Sequence, residues 1–170
     1  YIDDIHGINT ITGTGNPMDD NGHGTHCAGT IGAVSNNNRG VAGVAWKVKL
    51  MGLKFLDSKG FGFTSDAIEA LAYVKTMKTQ YGVNIKITSN SWGGYVYSKE
   101  LADAISASNA AGILFVAAAG NDALNTDIEP HYPSSYQIAN VISVSSSDHN
   151  DALSSFSNYG FTSVDLAAPG

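Results

Sequence analysis

Apolar residues recur along this chain in two rhythms. Residues 48–55, V-K-L-M-G-L-K-F, are rich in β-formers and are bounded by Asp57, Ser58 and Gly60. This predicts a strand followed by the Gly-rich loop Gly60-Phe61-Gly62. From Thr64 the period lengthens. Ile68, Leu71, Ala72, Val74 and Tyr81 fall at helical spacing, with Thr64 or Ser65 as N-cap, Asp66 and Glu69 in the first turn and Gly82 as a stop. Residues 83–88 form the next short apolar run and lead into Ser89-Asn90-Ser91-Trp92-Gly93-Gly94. Ser98 then caps a second helix, which carries Leu101, Ala104 and Ile105 and stops at Gly112. Residues 113–119 are almost wholly apolar and predict a strand. A loop with Pro130 and Pro133 leads to another at 141–144, and residues 166–170 read as a closing turn.

Near-continuous apolar strands alternating with amphipathic helices imply parallel pairing through crossovers. The expected fold class is α/β: a doubly wound, mostly parallel sheet with helices on both faces, incomplete at both ends. In such sheets ligands sit beyond the carboxyl ends of the strands. Gly60-Phe61-Gly62, Ser91-Trp92-Gly93-Gly94 and Gly120-Asn121 all follow predicted strands, so the three loops are expected to converge there.

Composition narrows the partners more than the fold. The 170 residues suit one domain, and 43% apolar with 14% charged residues fits a folded chain rather than a disordered one. A net charge of -6, with nine basic residues scattered singly, offers no phosphate-binding block, so no nucleic-acid partner is expected. No run approaches the roughly 18 apolar residues of a membrane span, so no membrane partner is expected either. The single Cys27 cannot form an intrachain disulfide.

The densest chemical feature is Asn21-Gly22-His23-Gly24-Thr25-His26-Cys27-Ala28-Gly29-Thr30, two histidines in a Gly-rich turn that leads into small residues suited to a tightly packed helix. Two histidines could ligate a metal. The stretch lacks the Glu and the four-residue spacing of a zincin motif. On these residues alone a structural pair, bonding loop backbone, stays open.

This decapeptide resembles the histidine motif of the subtilisin-like serine proteases. Three further segments are similar to that family's motifs, in its order: Ser91-Trp92-Gly93-Gly94 to its substrate-binding strand, Ala118-Ala119-Gly120-Asn121 to its oxyanion block, and Ala168-Pro169-Gly170 to the turn before its serine motif. The resemblance runs roughly from His6 to Gly170. It implies a serine endopeptidase acting on proteins or peptides through an Asp-His-Ser triad. His23 is then the general base, His26 a structural residue and Asn121 the oxyanion donor. Gly60-Phe61-Gly62 and Ser91-Trp92-Gly93 would flank an extended substrate, and broad specificity would follow. Gly94, Ala118, Ala119 and Gly120 would join Ser91 and residues 167–169 in lining the primary pocket. Asp122 reads as a solvated acid or as an aid to basic side chains, and Cys27 as a buried, inert thiol beneath His23.

The resemblance also implies structural calcium, secretion, an N-terminal propeptide and a monomer. Asp3 and Asp4 are similar to the end of an acidic insertion seen in some of these proteases. The loop holding Val34, Asn36, Arg39 and Val41 lies where others bind calcium, and a plain polar turn is the equal alternative. Neither the aspartate motif D-[ST]-G nor the nucleophile motif G-T-S-[MA]-A occurs. Residues 1–170 are therefore expected to be an internal part of a catalytic domain, beginning after the first motif, ending before the second and inactive as they stand. An inactive binding module is the alternative from another class, and a metal hydrolase using His23 and His26 is a third.

Overall fold

The computed structural model describes residues 6–170, so Asp3 and Asp4 lie outside the described residues. The chain forms two compact units, Tyr1–Ala70 and Leu71–Gly170. In chain order the elements are β1 (Ile8–Asn9), α1 (His23–Gly32), β2 (Leu53–Lys54), α2 (Thr64–Thr79), β3 (Ile87–Asn90), α3 (Lys99–Ala110), β4 (Leu114–Ala118), β5 (Val141–Ser147) and β6 (Leu166–Pro169).

In the second unit β3, β4, β5 and β6 form a parallel sheet in that order. Ile87 pairs with Leu114, Phe115 with Val141 and Val144 with Leu166. The fold class is α/β, as the alternation of elements predicts. Within β4 the two-residue period is plain: Phe115 and Ala117 are buried while Leu114 is exposed. Helix α3 makes the crossover from β3 to β4, contacts β4 and buries Leu101, Ile105 and Ser108. Its start is set by Ser98, whose hydroxyl accepts the Leu101 N–H at 3.1 Å. The crossovers β4 to β5 and β5 to β6 are irregular loops. Helix α2 turns Ala67, Ala70, Leu71, Val74 and Met77 inward at helical spacing. Beyond these, the Lys78 ammonium donates to the carbonyls of Ile85 and Gly112, both at 2.8 Å.

Several boundaries differ from those the apolar pattern predicts. The run 48–55 yields only β2, paired to the two residues of β1, because strand propensity without a ladder partner makes no strand. The run 83–88 shifts to 87–90, since the N–H groups of Val83 and Ile85 close turns onto Met77 and Val83. Residues 166–169 are a strand rather than a turn. Pro169 ends it on the outer side of the described sheet, where a missing N–H costs no ladder bond. Among the described residues no helix is long and apolar enough to cross a membrane.

Candidate active site

His23 opens α1 in the first unit. Gly22 at the N-cap position has φ 102° and no side chain to cap with. Asp19 does this work from upstream: one carboxylate oxygen accepts the N–H groups of Asn21 and Gly22 at 2.9 and 3.0 Å, the other the N–H and hydroxyl of Thr25 at 2.8 and 2.6 Å. These bonds, the Thr25 hydroxyl first, hold its carboxyl well below the usual range. The His23 imidazole is exposed, with Nε2 3.8 Å from the Cys27 sulfur one turn on. Cys27 is half-buried rather than buried, because its helix presents this face to open surroundings. His26 is exposed as well.

Behind the helix start, the Asn21 amide donates to the Ser58 carbonyl at 2.9 Å. That carbonyl belongs to a turn built on Asp57, which accepts the N–H groups of Lys59 and Phe61. Gly60, Phe61 and Gly62 are exposed on it, Phe61 by 74%. Further along, the loop with Val34, Asn36, Arg39 and Val41 encloses a hollow of about 260 Å³ lined only by residues 34–42. Asn36, Asn38 and Gly40 take left-handed φ there. This loop can offer carbonyl and Asn side-chain oxygens, the neutral hard donors calcium accepts, though no carboxylate. Among the described residues no three His, Cys, Asp or Glu side chains converge as a metal site.

In the second unit a cleft of about 320 Å³ opens at the carboxyl ends of the strands. Ser91, Ala118, Ala119, Gly120 and Asn121 line it together with Ala168 and Pro169. Trp92, Gly93 and Gly94 follow Ser91 in the chain but do not line the cleft, nor does Ala167. Asn90 holds the Trp92 indole by accepting its N–H at 3.3 Å, and Gly94 exchanges two backbone bonds with Tyr132, at 2.7 and 2.8 Å. The glycine at 93 is required by contact, because a Cβ there would stand 2.3 Å from the His131 ring. His131 is a buried residue that motif reasoning missed. Its ring meets Tyr95 edge-on at 5.4 Å, and burial pushes its pKa down, with Asp122 opposing. Asp122 is exposed, as a solvated acid would be, yet its carboxylate accepts the Tyr95 hydroxyl, which raises the Tyr95 pKa.

Asn121 stands exposed on the turn 119–124, and among the described residues its side-chain amide has no hydrogen-bond partner. The turn is held from inside by Asn158, which is fully buried. The Asn158 Oδ1 accepts the N–H groups of Asp122 and Leu124 at 2.9 and 3.0 Å, and its Nδ2 donates to the Ala119 carbonyl at 3.0 Å. Its own backbone N–H donates to the Gly120 carbonyl at 2.9 Å. Gly120 has φ 112°, and a Cβ there would stand 2.3 Å from the Asn158 amide nitrogen. No motif singles out Asn158. The only sequence signal is an Asn in a serine-rich stretch.

A family model described as the Subtilase family matches residues 1–170. Thermitase of Thermoactinomyces vulgaris is 40% identical over 166 residues, which cover 98% of this chain and 55% of that protein. Subtilisin Savinase of Lederbergia lenta is 36% identical over 165 residues, 96% of this chain and 56% of that one. The crystal structure of a cold-adapted subtilisin-like serine proteinase superposes with a TM-score of 0.82 at 33% identity, over 96% of this chain and 54% of that one. The chain thus spans about half the length of these relatives.

Proposed function

The chain belongs to the subtilase family, and from that premise we propose that the whole protein is a serine-type endopeptidase acting on proteins and peptides. In this reading His23 takes the proton of a serine hydroxyl as it attacks the scissile carbonyl and returns it to the leaving amine. Asn121 donates its amide to the oxygen that becomes negative. The observation that carries the reading is the Asn121 amide itself: exposed, unpartnered among the described residues and on the wall of a cleft beyond the carboxyl ends of parallel strands. An exposed His23 at a helix start held by Asp19 supports the general-base role.

The reading extends to substrate contacts. Gly60, Phe61, Gly62, Ser91, Trp92 and Gly93 are the residues this reading assigns to backbone pairing with an extended peptide, a mode that sets broad specificity. Calcium, bound by carbonyls and Asn oxygens of residues 34–41, is a structural ion. Secretion, an N-terminal propeptide and a monomeric state complete the proposal.

The test is peptide hydrolysis by the intact protein as its gene encodes it. We expect cleavage of a chromogenic peptide, blocked by a serine-directed acylating reagent. His23→Ala should lower kcat by about 10⁴-fold or more, and Asn121→Ala by about 10²- to 10³-fold, magnitudes characteristic of this protease family rather than obtained from this geometry. A folded intact protein that binds peptides without cleaving them would instead be a binding module.

A further inference from the structure

We infer that Asn158 is a positioning residue for the oxyanion donor, a role that rests on the reading of Asn121 above. The Asn121 amide has no hydrogen-bond partner among the described residues, so what the fold fixes of it is the place and direction at which the backbone of residues 119–124 projects the side chain. Asn158 grips that backbone on both sides of position 121. It bonds the carbonyls of Ala119 and Gly120 before it and the N–H groups of Asp122 and Leu124 after it, all within 3.0 Å.

A side-chain amide presents an acceptor for two N–H groups and a donor for a carbonyl in one planar group, which an ionised carboxylate or an aliphatic side chain does not. Asn158 is buried completely and its bond to the Ala119 carbonyl is buried, so losing the amide leaves that carbonyl unpaired, while the bonds from the Asp122 and Leu124 N–H groups lie part-buried at the margin. Gly120 fits the same arrangement, since its missing Cβ is the space the Asn158 amide occupies. An oxyanion hole works because its donors are fixed before the charge develops. A turn free to tilt would keep substrate affinity and lose transition-state stabilisation.

The experiment uses the intact protein and a peptide amide substrate. Asn158→Leu, of similar shape, should lower kcat on the order of 10- to 100-fold with KM within about twofold, and Asn158→Ser should fall between it and the wild type. In an Asn121→Ala background Asn158→Leu should cost less than about threefold more, because the group being positioned is gone. Fully additive losses, or a loss confined to KM, would overturn the inference. If Asn121→Ala alone leaves kcat unchanged, or the intact protein shows no peptidase activity, the reading of Asn121 fails and takes this role with it. Amide exchange in the wild type gives an answer even if Asn158→Leu does not fold. The N–H groups of Asp122 and Leu124 should be protected, and Asn158→Ser should abolish that protection while β4 stays protected. Rapid exchange of both in the wild type would sink the role.

Discussion

Asp19 accepts four hydrogen bonds with one carboxylate and so takes the capping role that Gly22 cannot. Asp19→Ala should destabilise the start of α1 by about 0.5–2 kcal/mol, the range for losing a helix cap. The pH dependence has a definite sign. The bonds from Thr25, then from Gly22 and Asn21, hold the folded carboxyl below its ordinary value of 3.8, so the unfolded chain binds the proton more readily. The stabilisation is complete above about pH 5 and is lost progressively as pH falls through 3.8 and below. Urea midpoints at about pH 6 and about pH 3 should separate more in the wild type than in Asp19→Asn, and equal separations would show that the charge contributes nothing. At this scale the sequence drew notice to His23 and Asn121 because short motifs surround them, and the roles proposed for them rest on those motifs. Asp19 lies in no D-[ST]-G tripeptide, so no motif drew notice to it. His131 and Asn158 carried no motif at all.

Among the elements, α2 and α3 followed their periodicity closely, because helix bonds join residues four apart and caps such as Ser98 lie beside them. Strands were less legible, since each needs a partner that the local pattern does not name. β4 shows what partnership adds. It lies between β3 and β5, and Phe115 is wholly buried while Leu114 next to it remains 44% exposed. Phe115→Ala should therefore cost about 3–5 kcal/mol, against less than about 1 kcal/mol for Leu114→Ala, as urea denaturation would measure. Similar losses at the two positions would mean that β4 is not an interior strand.

For the molecule as a whole, the two units differ in what holds them. The Leu71–Gly170 unit has a four-stranded sheet with a buried apolar core, whereas the strands of the Tyr1–Ala70 unit are two residues long and α1 buries only Gly32. Hydrogen exchange should therefore be slowest at β4 and β5 and fastest at α1 and residues 34–42. Millimolar calcium should slow exchange at 34–42 and leave β4 unchanged, and no effect at the loop would remove calcium from it. What the sequence by itself determined is whatever short range decides: the helices, the α/β alternation, and the motifs around His23 and Asn121. Tertiary structure alone decided which runs became strands, why position 93 must be glycine against His131, and how the turn at 119–124 is held. The last of these depends on bonds such as that between Asp122 and Asn158, 36 residues apart, which exist only once the sheet has brought both ends together.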